Sequence, residues 1–209
     1  MTDGLPHIGI GYRDSIPEEI IDRLTRTIAH ERLDLRVESA PADEVVAALE
    51  WLLPTAVVIF LGKAYFDAFL KEAGKEHYHL LKAAVASLWR VFFGGERAVR
   101  LRFVATAGKA PDAGPYSLAF SIVAEAEGGY RFKLLLEDSI DETAFNAVTA
   151  RFLDFLDAYH AAKGGALPLE GIRDVRVVGR TILVAYDNGQ GVFRVVDPVP
   201  PRAKGQSGS

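Results

Sequence analysis

The sequence predicts an α+β protein, and three observations lead to this fold class. Residues 1–95 alternate between strand-like and helix-like segments, which favours a small, largely parallel sheet with helices against it. Residues 96–197 change to segments in which apolar and polar side chains alternate, the pattern of antiparallel strands with one buried face. A helix and a C-terminal β-meander follow within that second half. Residues 198–209, which are rich in Pro, Gly and Ser, are expected to form a disordered tail.

A central strand is the most strongly marked element of the first half. Residues 55–61 form a short, uninterrupted apolar run that is rich in β-branched side chains and is bounded by Pro54 and Gly62. Such a run predicts a strand that is covered on both faces of its sheet. The other elements predicted in this half are strands over 7–12 and 35–39 and helices over 17–32 and 41–51.

A long helix is predicted directly after this strand, over residues 64–93. Its apolar side chains recur at spacings of three and four and cover most of the circumference, which is typical of a core helix that other elements surround. Gly74 is expected to mark a bend, and the pair Gly94-Gly95 ends the helix. The alternative interpretation is a membrane segment over 51–70, a stretch of about the required length that two charged side chains interrupt.

The second half is predicted to contain antiparallel strands, a helix and a β-meander. The predicted spans are strands over 97–106, 116–125 and 130–137, a helix over 141–162, and meander strands over 173–178, 181–186 and 191–196. Alternation places one set of side chains on the core face, namely Val99, Leu101, Phe103, Ala105, Tyr116, Leu118, Phe120, Ile122, Ala124, Phe132, Leu134 and Leu136. The chain is expected to divide at Gly94-Gly95, and one interleaved domain fits the same pattern.

Composition and charge exclude several classes of protein. The 209 residues carry a formal net charge of -4 at pH 7, which argues against general nucleic-acid binding because that function favours a basic surface. There are no cysteines, so disulfides, thiolate metal sites and a cysteine nucleophile are excluded. The N-terminal residues show no basic segment followed by an apolar core, so we expect a cytoplasmic protein. The Ala- and Arg-rich composition favours a bacterial origin.

The outward face of the antiparallel strands is the candidate ligand-binding surface. Its predicted side chains are basic or small, although the protein is acidic overall. The residues proposed for this face are Arg100, Arg102, Ser117, Ser121, Arg131 and Lys133. A basic patch of this kind can receive an acidic partner or a phosphorylated ligand. The alternative interpretation is an ordinary solvent-facing surface.

Helical spacing marks two candidate pairs of metal ligands. Glu76 and His79 lie three residues apart on the long helix, and Asp157 and His160 repeat this spacing on the later helix. The alternative interpretation of the first pair is a solvated helix face, because Glu and Lys mix around it at spacings of three and four. We therefore expect no bound metal and no cofactor.

Candidate catalytic residues are confined to the long helix. His77 lies on the apolar stripe, where it is either a catalytic base or a buried neutral histidine with one hydrogen-bond partner. A closed cleft that contained His77, Glu72 or Glu76 would favour an enzyme. The serines lack the Gly-x-Ser-x-Gly elbow, so no nucleophile triad is predicted.

The run VVIFLGKAYFDAFLKEAG, residues 57–74, resembles the strand, aromatic turn and helix of Toll/interleukin-receptor (TIR) domains. Some members of that family cleave NAD, so the resemblance implies a nucleotide-handling enzyme as one alternative. No catalytic residue is carried over from the family to this chain.

The sequence as a whole favours binding over catalysis. We expect a non-catalytic binding protein that recognises an acidic or phosphorylated ligand on the basic sheet face. A protein partner or self-association through the aromatic-rich long helix is also expected. The alternatives are a small hydrolase or nucleotide-handling enzyme and a peripheral membrane-associated protein.

Overall fold

The strands form one mixed sheet, and the helices pack against one of its faces. The computed structural model describes residues 4–41, 55–94, 115–163 and 177–197. Within these ranges the strands are β1 (Ile8–Arg13), β2 (Leu35–Ala40), β3 (Val57–Leu61), β4 (Phe120–Glu125), β5 (Arg131–Leu134), β6 (Thr181–Asp187) and β7 (Val192–Val196). The predicted α+β class is confirmed. The helix predicted over 41–51, the strand predicted over 97–106, most of the strand predicted over 173–178 and the tail lie outside the described residues.

Parallel and antiparallel pairs alternate across the sheet. The strand order is β2-β1-β3-β4-β5-β6-β7, with parallel pairs β1–β2, β3–β4 and β5–β6 and antiparallel pairs between them. β3 precedes Gly94-Gly95 and β4 follows it, so their pairing joins strands from both halves of the chain in one sheet. Leu61 lies opposite Ala124 in this register, and the carboxyl ends of the two strands therefore meet at the same edge.

The helix predicted over 64–93 is present but interrupted. The helical segments of the described residues are α1 (Glu18–Ile28), a π-helical turn (Tyr65–Phe69), α2 (Leu70–Ala73), α3 (Lys75–Ser87), α4 (Trp89–Phe92) and α5 (Glu142–Ala161). Gly74 has a φ of +76°, a left-handed conformation that glycine adopts without a steric penalty, and it separates α2 from α3. Among the described residues, no helix combines the length and the apolar character needed to cross a bilayer.

The main core lies between the helices and the side of the sheet that faces them. β3 is buried over its whole length, as its apolar run predicts, and Val57, Ile59 and Leu61 belong to this core. The predicted core-facing residues that are confirmed here are Phe120, Ile122, Ala124, Phe132, Leu134 and Leu136. Burial of each large apolar side chain stabilises the fold by about 1.5–3 kcal/mol, so this layer is the main source of folding free energy.

The opposite face of the sheet is a second buried surface. It carries one apolar cluster of Val58, Phe60 and Val123 and another of Leu135, Leu183 and Ala185. The two clusters come from β3, β4, β6 and the residue that follows β5. The predicted solvent-facing surface of the antiparallel strands therefore lies within a covered layer.

The burial of the predicted basic face corrects the expectation that it is open. Of that set the structure describes Ser117, Ser121, Arg131 and Lys133, whereas Arg100 and Arg102 lie outside the described residues. Ser121 is 2% exposed and Lys133 is 1% exposed, because Lys133 lies opposite Val123 in the register and shares its buried face. The Ser121 hydroxyl donates to the Leu134 carbonyl at 2.8 Å, so it is satisfied within the sheet. A ligand role for these residues stays a prediction.

Substitution of Gly62 is expected to destabilise the fold. A Cβ added at Gly62 would lie 2.3 Å from the Pro6 carbonyl oxygen, a backbone atom that cannot move without shifting the chain that enters β1. We expect Gly62→Ala to lower the free energy of unfolding by about 1–3 kcal/mol, the usual cost of overpacking, in urea denaturation. Gly4→Ala is the matched control, because no atom lies within 4 Å of a Cβ added there. Equal denaturation midpoints for the two variants would contradict this close packing.

Candidate functional site

A cleft of about 1190 Å³ opens at the edge where β3 and β4 end. One wall is the chain that leaves β3, which forms the π-helical turn, α2 and the first turns of α3. The other wall is the C-terminal half of α5, and Glu127 borders the cleft just after β4. Ligand sites in sheets covered by helices commonly lie outside the carboxyl ends of parallel strands, and β3 and β4 are such a pair. This cleft is therefore the candidate site.

Lys63 organises the end of the cleft next to β3. Its backbone N–H donates to Glu125 Oε2 at 2.8 Å, and its Nζ donates to Glu127 Oε1 at 2.5 Å. The same Nζ lies 3.9 Å from Asp67 Oδ2. The hydrogen bond between Lys63 and Glu127 raises the pKa of the lysine and lowers the pKa of the carboxyl, so both stay charged near pH 7. The Glu127 backbone N–H donates to the Tyr159 hydroxyl at 3.0 Å, which ties this edge to α5.

A buried hydrogen-bond chain connects the π-helical turn, α3 and α1. The Tyr65 hydroxyl donates to His77 Nδ1 at 3.1 Å, and His77 Nε2 donates to the Ile28 carbonyl at 2.7 Å. A carbonyl can only accept, so Nε2 carries the proton and Nδ1 is the acceptor. Burial lowers the pKa of His77 and keeps the ring neutral. Both nitrogens are engaged and the residue is not part of the cleft lining, which favours His77 as a structural histidine.

His160 is a buried polar side chain in the cleft wall. It is 4% exposed, and neither ring nitrogen makes a hydrogen bond of good geometry within the described residues, although the Glu125 carbonyl lies beside the ring. Phe66 stacks on the imidazole with 4.6 Å between ring centroids, and Tyr159 meets it edge-on at 5.1 Å. Burial lowers the pKa of His160, so the ring is neutral near pH 7. An unsatisfied buried polar group costs about 1–3 kcal/mol. Asn146 Oδ1 and Thr181 Oγ1 are also buried without a hydrogen-bond partner among the described residues, but His160 is the one of these three residues that lines the cleft.

Asp154 joins α3 to α5 along the side of the cleft. Its Oδ1 accepts hydrogen bonds from the Tyr78 hydroxyl at 3.0 Å and from Lys82 Nζ at 2.6 Å. The Lys82 ammonium also lies 4.7 Å from the centroid of the Tyr78 ring. Burial and the charge of Asp154 raise the pKa of Tyr78, so its hydroxyl remains a donor.

Unpaired positive charge is concentrated in the cleft. Lys71, Lys75 and Lys163 line it, are exposed, and have no ion-pair partner among the described residues. The other lysines of the lining are paired with carboxylates as described above. Among the carboxylates of the described lining, Asp157 differs from the others because it makes no hydrogen bond or ion pair. The cleft therefore favours an anion, although the protein is acidic overall.

Three of the four predicted metal-pair residues meet at this cleft. His79, Asp157 and His160 line it, whereas Glu76 is exposed on the first turn of α3 and lies outside the lining. In the part of the chain that the structure describes, no group of three or more His, Asp or Glu side chains is placed to hold a metal ion. The side chain of Glu72 lies outside the described part of the structure. The catalytic and metal roles proposed for these residues stay predictions.

The sequence pattern does not single out the lysines of the cleft. Lys71 and Lys75 lie at helical spacing among glutamates, which is typical of a solvated helix face, and Lys163 follows the end of a helix. The available signal was the position of Gly62-Lys63 directly after a strand buried on both faces, because ligands often bind at the carboxyl end of such strands.

No protein-family model, curated protein or solved structure matches the chain. The functional interpretation therefore depends on the geometry and chemistry of the cleft. The enzymatic alternative implied by the TIR resemblance stays a prediction.

Loss of the Tyr65 hydroxyl is expected to destabilise the fold through His77. Tyr65→Phe would leave His77 Nδ1 buried without a donor, so we expect the free energy of unfolding to fall by about 1–3 kcal/mol in urea denaturation. Tyr130→Phe is the matched control, because Tyr130 is 42% exposed. A Tyr65→Phe variant as stable as this control would show that the hydrogen bond contributes nothing.

The stability of the protein is expected to depend on the titration of His160. Because the folded-state pKa of His160 lies below its ordinary value, the unfolded chain binds a proton first as the pH falls through about 6.5. The free energy of unfolding should therefore decrease from pH 7 toward pH 5, and His160→Gln, which cannot titrate, should show a flatter dependence. The difference in slope is at most about 1.4 kcal/mol per pH unit for one proton. Parallel curves for the two proteins would contradict the burial of a neutral His160.

Proposed function

We propose that the protein is a non-catalytic binding protein that takes a small phosphorylated or carboxylated molecule into the cleft between α3 and α5. The observation that carries this proposal is the unpaired charge of Lys71, Lys75 and Lys163 around one concave site. The volume of about 1190 Å³ lies somewhat above the usual range for small-molecule sites, so a metabolite-sized ligand fits.

The start of α3 supports an anionic ligand. Gly74 and Lys75, at its first turn, line the cleft, and no side chain caps this helix end. The backbone N–H groups of an uncapped first turn, together with the helix dipole, favour negative charge. His160 lines the same cleft, and its buried ring nitrogens make no hydrogen bond of good geometry among the described residues, which is a second observation that supports a ligand there.

The lining also accommodates an apolar portion of the ligand. Phe66, Leu70 and the ring of Tyr78 border the same space as the lysines. Small-molecule sites typically combine such an apolar lining with a few polar groups that fix the orientation of the ligand. We therefore favour a ligand with an anionic head group and an apolar body over a bare inorganic ion.

Binding is favoured over catalysis by the composition of the cleft. Its described lining contains no serine, threonine or cysteine, so the common hydroxyl and thiol nucleophiles are absent from this part of the structure. The sequence also predicts a protein partner, self-association and a ligand on the basic sheet face. These stay predictions, and the cleft supports none of them directly.

Removal of two cleft lysines is expected to weaken the binding of phenyl phosphate, a probe with an anionic head and an apolar body. An exposed ion pair contributes about 0.2–1 kcal/mol, so Lys71→Ala/Lys75→Ala should raise the Kd about fivefold, measured by NMR titration at about 0.1 M salt. Wild-type protein should bind phenyl phosphate more tightly than inorganic phosphate, because the ring packs against the apolar lining.

The control variant is Arg23→Ala/Arg26→Ala, which removes the same charge from exposed positions of α1 outside the cleft lining. Its Kd should stay within about twofold of wild type, because neither side chain lines the cleft and salt screens exposed charges that do not contact the ligand. Equal affinity of the two double variants, or absence of phenyl phosphate binding by the wild type, would refute the proposed function.

A further inference from the structure

Two aromatic rings hold His160 in place, and the Glu125 carbonyl lies beside its imidazole. Phe66 lies nearly parallel to the imidazole, at an interplanar angle of 13°, and Tyr159 crosses it at 78°. The Tyr159 ring is itself fixed, because its hydroxyl accepts the Glu127 amide at 3.0 Å. The imidazole is thus confined in the cleft wall, where a ligand in the cleft comes close to it.

The charges around His160 are nearly balanced. The groups that act on it are Lys63 from the end of β3, Asp67 from the π-helical turn, and Glu127 and the Glu125 carbonyl from the end of β4. Asp157 and Lys163, near the end of its own helix, line the same cleft. Burial opposes protonation of the ring, whereas the carboxylates of Asp67 and Glu127 favour it. The protonation state of His160 is therefore sensitive to one additional negative charge.

We propose that His160 takes up a proton from solvent when an anionic ligand enters the cleft, so that ligand binding is coupled to protonation of this residue. The inference rests on the proposed function and adds to it a proton-linked contact. The imidazolium supplies a positive charge in the cleft wall, and the anion in turn stabilises the imidazolium. The consequence is tighter binding at lower pH.

The sign of this coupling follows from linkage. An anion beside the ring raises the pKa of His160 in the complex above its lowered value in the free protein. At any pH between these two values, formation of the complex is accompanied by proton uptake. Affinity rises as the pH falls through this interval and levels off below it. His77 provides the internal comparison, because both of its ring nitrogens are already bonded to Tyr65 and Ile28.

The test is an NMR pH titration of the histidine Cε1–H signals of the full chain, free and with saturating phenyl phosphate. The His160 signal is identified by its loss in His160→Gln, or by contacts with the Phe66 and Tyr159 rings if that variant does not fold. An opposite charge within about 4–6 Å shifts a pKa by about 1–3 units, so we expect the pKa of His160 to rise by about one unit or more. The His77 signal should not change its titration.

Affinities of wild type and His160→Gln at pH 5.5 and 7.5 complete the test. Titration of the probe's own phosphate affects both proteins equally, so an additional gain of about tenfold at low pH in the wild type reports His160 alone. Binding with an unchanged His160 pKa, or equal pH dependence in both proteins, would overturn the coupling and leave the proposed function intact. Absence of phenyl phosphate binding at both pH values would refute both proposals.

Discussion

The close contact between Gly62 and the Pro6 carbonyl determines how the chain leaves β3, and the cleft depends on that exit. The Gly62 amide donates to the His7 carbonyl at 3.0 Å, and the Gly62 carbonyl accepts from the Tyr65 amide, also at 3.0 Å. Lys63 and Ala64 are already helical, so Gly62 alone joins the end of a fully buried strand to the first helical turn. This short connection keeps the π-helical turn, and with it one wall of the cleft, at the carboxyl edge of β3.

Two irregularities in the following helix separate the side chains that it directs into the core from those that it directs into the cleft. In the π-helical turn, Tyr65 and Phe69 stack at 5.6 Å and lie against His77 in the core, while Phe66 meets His160 in the cleft wall. The left-handed conformation at Gly74 then interrupts the helix and leaves a second N-terminus in the cleft. A continuous helix would have its amides at that point bonded internally, so the interruption creates the polar part of the site.

The sequence predicts the elements better than it predicts the site. The uninterrupted apolar run of β3 and the alternation in β4 and β5 report burial directly, because side-chain period and hydrophobicity follow from the pleat of a strand. The second sheet face was misjudged because Ser121 and Lys133 alternate with apolar residues, as on a solvent face. Their burial means that this face of the sheet is covered over β4 and β5, and the alternation of side chains along one strand carries no information on what covers a face.

The contrast between His77 and His160 shows why the sequence pattern alone does not distinguish a structural histidine from one in the cleft wall. Burial lowers the pKa of both rings, and both lie on helices that pack together. The Tyr65 hydroxyl and the Ile28 carbonyl satisfy His77 completely, whereas two aromatic rings hold His160 without satisfying it. The partners of a histidine come from elements distant in the chain, so residue type and spacing cannot separate the two cases. A buried polar side chain of this kind, in a cleft with unpaired lysines, is the physical basis on which we propose an anionic ligand for the cleft.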